Sequence, residues 1–181
     1  MLQITIPERE LFDEKTGEFF QTKERTLQME HSLVSLSKWE AKWNKAFLSK
    51  KPKTTEETID YFRCMTITQN VDPIAYKFLT PDNVEEINQY INAPMTATYF
   101  SDDKKSIGGR GETVTSELIY YWMIALNIPF ECQKWHLNRL IALIKVCQIK
   151  TQPPKKMSQG EILRRNAALN AARRKKLHSK G

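Results

Sequence analysis

The sequence predicts a mainly α-helical fold, with a small antiparallel β element packed on a helical domain at the N-terminus and a basic helix at the C-terminus. Three observations carry that prediction. Within the first thirty residues, Leu2–Ile6 and Thr26–Glu30 alternate apolar and polar side chains at the two-residue period of half-buried strands. From Ser32 to Ile149 the apolar residues recur instead at three- and four-residue spacing, the period of amphipathic helices. The charge is also divided. Residues 1–149 carry 18 basic and 20 acidic side chains, net −2, whereas residues 150–181 carry 10 basic and one acidic, net +9, together the +7 of the whole chain.

Each element follows from its own residues. Leu2-Gln-Ile-Thr-Ile6 alternates as a strand does, and Pro7 stops it. Leu11-Phe12 and Phe19-Phe20 flank the polar, glycine-containing stretch Asp13–Glu18, which suits a hairpin loop. Thr26–Glu30 alternates again, so residues 1–31 read as one small antiparallel sheet in need of helices over its apolar face. These strands can pair within one chain or between copies, and a homo-oligomer stays open. Leu33, Leu36, Trp39 or Glu40, Trp43 and Phe47 form the apolar face of a first helix, with Trp39, Trp43 and Phe47 in the core and Lys50-Lys-Pro-Lys53 as its breaker. Thr54-Thr-Glu-Glu57 is a capping box that opens a second helix, buried through Ile59, Phe62 and Ile67. Pro73 and Pro81 fit first turns, and Val84, Ile87, Tyr90 and Ile91 predict a helix over about 82–92.

Residues 101–112 are polar and hold three of the six glycines, the pattern of a loop. Thr113 to Leu126 reads as a buried helix containing Leu118, Ile119, Tyr121, Trp122 and Ile124. Pro129 interrupts, and Glu131 to Ile149 gives the last core helix, with Trp135, Leu140, Leu143, Ile144 and Cys147 on one face. The predicted organisation is a globular domain over 1–149, divided into strands 1–31 and a helical body 32–149. A Pro-rich linker follows at 150–157 and a basic helical arm at 158–181. The arm opens with Ser158-Gln-Gly-Glu161, a second capping box, and has high helix propensity but few large apolar side chains. A helix with so little to anchor it is expected to fray when free and to order on a partner.

The composition limits the function. A chain of 181 residues is too short for a large multidomain enzyme, and 40% hydrophobic residues are enough for a core. No run approaches the roughly 18 apolar residues of a membrane span, and MLQITIPERE has no charged leader with an apolar run behind it. Neither membrane nor secretion is expected. Three widely spaced cysteines, Cys64, Cys132 and Cys147, suit reduced thiols in cytoplasm better than a disulfide framework.

Three constellations have residue types that could carry chemistry. The loop Gly108-Gly-Arg-Gly111 with Lys104, Lys105 and Arg110 has donors for phosphate, yet the chain contains no Gly-Lys pair of a nucleotide-binding P-loop. Cys132 and His136 stand four apart on a predicted helix, but no paired ligands complete a zinc site, so a core thiol and a helix-surface histidine is the better reading. The pairs Glu56-Glu57, Glu85-Glu86 and Asp102-Asp103 read as solvated carboxylates, the first two at helix starts. The expectation is a non-enzymatic protein with no catalytic residue, no metal and no cofactor. The partner-binding residues are expected in the arm. Arg164-Arg165 and Arg173-Arg174 suit phosphates or acidic side chains, and Ile162, Leu163 and Leu169 with the neighbouring alanines suit packing on another helix. No aromatic residue follows Trp135 to stack on bases, which favours a protein partner over nucleic acid.

The strings Trp135-His-Leu-Asn-Arg-Leu140, Pro153-Pro-Lys-Lys-Met-Ser158, Asn166-Ala-Ala-Leu-Asn-Ala-Ala-Arg-Arg174 and His31-Ser-Leu-Val-Ser-Leu-Ser-Lys-Trp-Glu40 resemble those of tail assembly chaperones of long-tailed bacteriophages. The similarity spreads over most of the chain. It implies a small helical protein of the infected host's cytoplasm that keeps the tape measure protein soluble while tail tube subunits polymerise around it. Tape measure protein, and tail tube protein through a frameshift-extended form, are the implied partners. Under it, Leu163 and Leu169 pack on the client and Arg164, Arg165, Arg173 and Arg174 pair with its acidic residues. The alternative is a nucleic-acid-associated accessory protein of packaging or head completion that binds through the same basic arm.

Overall fold

A computed structural model describes residues 1–13, 17–100, 113–151 and 158–177. The fold is mainly helical, with a small antiparallel β element at the N-terminus and a helix at the C-terminus, as the periodicity predicts. The chain forms two compact units, Met1–Ile149 and Lys150–Gly181.

Strand β1 (Leu2–Ile6) pairs with β4 (Arg25–Met29), and β2 (Arg9–Asp13) pairs with β3 (Glu18–Thr22). The predicted single sheet is therefore two two-stranded ladders, both formed within one chain. They share one register. Ile4 faces Leu27 and Leu11 faces Phe20, so the pair sums are equal and the four strands form one long hairpin ribbon, interrupted at Pro7 and Glu8. Pro7 has no N–H to give to the ladder, which accounts for the gap. Gly17 takes φ 68°, a left-handed conformation that costs glycine little. Alternation places Ile4, Ile6, Leu27 and Met29 in the core.

The first helix, α1 (Leu33–Trp43), is capped by Ser32 and Ser35 in a reciprocal box. It ends at Asn44, which is left-handed at φ 51°, well before the predicted breaker at residues 50–53. Phe47 thus lies beyond the helix, and Phe47 and Trp43 are half-buried while Trp39 is fully buried. Helix α2 (Thr55–Met65) begins at the predicted Thr54–Glu57 box. Its buried apolar side chains are Tyr61, Phe62 and Met65, with Ile59 half-buried. Ile67 is past the helix end and exposed, a correction to its core assignment. Two indole N–H groups tie α1 to α2: Trp39 donates to the Glu57 carbonyl at 2.8 Å and Trp43 to Asp60 Oδ2 at 2.9 Å.

A 3-10 segment, Pro73–Phe78, leads to α3 (Pro81–Asn92), whose core residue is Ile87. Glu85 and Glu86 are exposed, one turn past that helix's start. Helix α4 (Ser116–Ala125) buries Ile119, Trp122 and Met123, but Tyr121 is 63% exposed and Ile124 61%. The expectation of a wholly buried helix is thus corrected to a one-sided one.

The predicted continuous helix over 131–149 is broken. Residues Phe130–Lys134 form a 3-10 turn, and α5 (Leu137–Thr151) starts only after Trp135 and His136. The cause is tertiary: His136 makes an antiparallel bridge to Ser32, and the Leu137 N–H donates to the His31 carbonyl at 2.7 Å. Two apolar clusters result. One joins the ribbon to Trp39, α2 and Ile87, and the other joins Leu33 and Leu36 to α4 and α5. Buried Glu40 sits between them. Its two oxygens accept the Phe47 N–H at 2.8 Å and the Ser116 N–H at 2.7 Å, the latter opening α4.

Among the described residues, no helix is long and apolar enough to cross a membrane.

Candidate partner-binding arm

The second unit is built on α6 (Gln159–Leu177). Its start is fixed by the predicted box. Ser158 N–H donates to Glu161 Oε2 at 2.9 Å, and the Glu161 N–H donates to Ser158 Oγ at 3.2 Å. Glu161 lies in the first turn and Arg174, Lys175 and Lys176 in the last, the arrangement the helix dipole favours. Residues 152–157 of the predicted linker, and 178–181 at the end of the arm, lie outside the described residues. Lys150 and Thr151, predicted as linker, belong to α5.

No residue of α6 is buried. Each predicted contact residue, Ile162, Leu163, Arg164, Arg165, Leu169, Arg173 and Arg174, is exposed, Leu163 at 69%. The helix brings some of them together and separates others. At 3.6 residues per turn, Ile162, Leu169, Arg173 and Leu177 fall within roughly 80° of one another, and Leu163 lies roughly 100° from Ile162. Ala167, Ala168, Ala171 and Ala172 centre on the opposite side. A partner seated on the Ile162–Leu169–Leu177 stripe therefore meets Arg173 in the same row, while the alanine side offers a separate path of close backbone approach. Basic side chains occur on every side of the helix.

The body holds features that periodicity did not reveal. His31 and His136 are both buried, with ring centroids 5.1 Å apart, which corrects the reading of His136 as a helix-surface residue. Cys132 lies in the 3-10 turn and His136 beyond it, so the two do not share a helix face. Asn138 N–H donates to His136 Nδ1 at 3.3 Å, so that nitrogen is the acceptor and Nε2 carries the proton, directed at the Tyr90 carbonyl 3.0 Å away. His31 Nδ1 meets the Tyr61 hydroxyl at 2.6 Å. Burial, then the neighbouring His136, pushes the His31 pKa down to about 3, and burial lowers that of His136 as well. Burial raises the Tyr61 phenol. Both imidazoles are therefore neutral and serve as hydrogen-bonding fillers where β4, α2, α3 and α5 meet. Nothing local in the sequence marks them, because their partners are distant in the chain.

Glu57 is another correction. It is 3% exposed, not solvated: it accepts the Thr54 N–H at 2.8 Å and pairs with Lys45. Those bonds hold its carboxyl below the usual range, the Lys45 bond foremost. The Gly108–Gly111 phosphate reading and the Asp102-Asp103 pair lie outside the described residues. Among the described residues, no three His, Cys, Asp or Glu side chains come together as a metal site.

Comparison with known proteins finds no matching family model, no matching curated protein and no matching solved structure.

Proposed function

We propose that this chain is a non-enzymatic assembly chaperone of a long-tailed phage that holds the tape measure protein soluble in the host cytoplasm through its C-terminal arm. One observation carries the reading: a nineteen-residue basic helix, α6, that buries none of its residues, Ile162, Leu163 and Leu169 included. A helix poor in large apolar side chains gains little from standing alone, and an elongated helical client with apolar stripes and acidic residues supplies what it lacks. The resemblance of Asn166–Arg174 and Trp135–Leu140 to tail assembly chaperones points the same way.

Burial of a large apolar side chain is worth about 1.5–3 kcal/mol, so Leu169 contributes that much to a contact along the stripe, and Leu163, about a third of a turn away, adds as much where the client also covers its side. The test is co-expression of the chain with the tape measure protein, followed by measurement of the client's soluble fraction. Leu163→Asp with Leu169→Asp is expected to send the client to the pellet while the variant chain stays folded. A client equally soluble with the double variant would remove the arm from the mechanism.

The spread of basic residues around α6 favours one second reading, a nucleic-acid-associated accessory protein bound through phosphates. Phosphate binding loses affinity steeply as salt rises, whereas apolar helix packing does not. A complex that dissolves between low and moderate salt, and that nuclease abolishes, would select this reading.

A further inference from the structure

We infer that the cleft between the end of α1 and the start of α2 binds a small phosphate-bearing anion. The cleft has a volume of about 290 Å³. Its polar lining comes from Asn44, Lys45, Ser49, Lys51, Lys53 and Thr113. Three lysines thus line one space, in a body whose net charge is −2. The carboxylate in the same lining, Glu57, is already committed to Lys45 and to the Thr54 N–H. The local excess is therefore two positive charges, which matches a phosphate dianion and exceeds what one carboxylate balances.

The donors are also uncommitted. Among the described residues, the side chains of Lys51, Asn44 and Ser49 make no hydrogen bond or ion pair, so three different donor types are left for the oxygens of one tetrahedral group. Lys53 lies over the Phe47 ring at 4.3 Å, and burial holds its ammonium below the usual lysine range, partly opposed by Glu57. An anion beside it relieves that cost. The volume is larger than a phosphate alone, and Trp39, Ala46 and Pro52 give the remainder an apolar wall that suits the organic part of a phosphate ester. The turn that shapes the cleft follows from Asn44, whose left-handed backbone reverses the chain just after α1.

The experiment titrates inorganic pyrophosphate into the full chain and follows the tryptophan fluorescence, to which Trp39 in the cleft wall contributes, with calorimetry alongside. Because the arm is itself basic, an Arg173→Glu/Arg174→Glu variant serves as the control. Saturable binding is expected, weakened about tenfold or more in Lys51→Glu/Lys53→Glu, several-fold in Lys51→Glu alone, and little changed in the arm variant. Lys51 is exposed, so its single variant keeps the test valid if the double variant unfolds. Three results would overturn the assignment: no saturable binding up to about 10 mM, binding indifferent to Lys51→Glu, or binding lost with the arm substitutions instead. Client solubility plays no part in this readout, so it stands or falls apart from the chaperone reading.

Discussion

Truncating Glu40 to alanine should cost this protein a large share of its stability. Glu40 is 6% exposed, and its two oxygens accept two backbone N–H groups, from Phe47 at 2.8 Å and from Ser116 at 2.7 Å. One closes the turn after α1 and the other holds the start of α4, so a single side chain joins the two apolar clusters. A hydrogen bond to a charged group contributes about 1.5–3 kcal/mol net, about 3–6 kcal/mol for the two, and water reaching the part-buried Phe47 N–H trims the loss. Glu40→Ala is thus expected to lose about 3–5 kcal/mol, against a total of about 5–15 kcal/mol for a domain of this kind. With a urea slope of about 2 kcal/mol per M, the midpoint falls by about 1.5–2.5 M. Glu40→Gln keeps one acceptor oxygen and turns an amide toward the second N–H, so it should recover less than half of the loss. The assay is urea denaturation followed by the fluorescence of the four tryptophans, with circular dichroism as the second probe. Glu85→Ala, on the exposed side of α3, is the control and should stay within about 0.5 kcal/mol. A Glu40→Ala protein within 1 kcal/mol of the parent would refute the claim that this carboxylate bridges the clusters.

Three further outcomes follow from the same geometry. His31 is neutral in the folded protein, with its pKa near 3, while the unfolded chain takes up a proton near pH 6.5. The unfolded state then binds more protons, so stability falls as pH drops from about 6.5 toward 3, at up to about 1.4 kcal/mol per pH unit, and the fall flattens in His31→Gln. Denaturant midpoints between pH 7 and 4 measure this, and a slope unchanged by His31→Gln would contradict it. Among the described residues, Ser116 Oγ is buried without a hydrogen-bond partner, so Ser116→Ala should be neutral or stabilising by up to about 1 kcal/mol; a clear loss of stability in thermal melts would show that the hydroxyl is satisfied. Gly160, the second residue of α6, has nothing within 4 Å of an added Cβ. Gly160→Ala should therefore raise the helicity of the arm, by up to about 1 kcal/mol in helix free energy, and tighten client binding through pre-ordering. Unchanged helicity by circular dichroism would count against an arm limited by its own propensity.

What the sequence disclosed was local. The Thr54–Glu57 and Ser158–Glu161 boxes are written in four adjacent residues each, and both appear where predicted. The alternation of Leu2–Ile6 and Thr26–Glu30 likewise fixes which side chains face inward. What it hid was set by distant partners. The break at Trp135-His136 exists because His136 and Leu137 pair with the Ser32 and His31 backbone, which no periodicity in residues 131–149 records. Tyr121 and Ile124 are apolar yet exposed, since the core contacts of α4 run along Ile119, Trp122 and Met123. Helix α1 stops at Asn44 because one side chain tolerates the left-handed region, a subtler signal than the Lys-Pro breaker further on. The arm residues were legible as a class, basic with scattered aliphatics. Only helical placement separates the Ile162–Leu169–Leu177 stripe from the alanines behind it.

The most direct test of the central claim is a pull-down of the tagged full chain from infected cells after nuclease treatment, with bound proteins identified by mass spectrometry. One long, largely helical phage protein is expected with the parent chain, and its absence with Leu163→Asp/Leu169→Asp. The same protein held equally by both chains, or no protein at all once nucleic acid is removed, would contradict it.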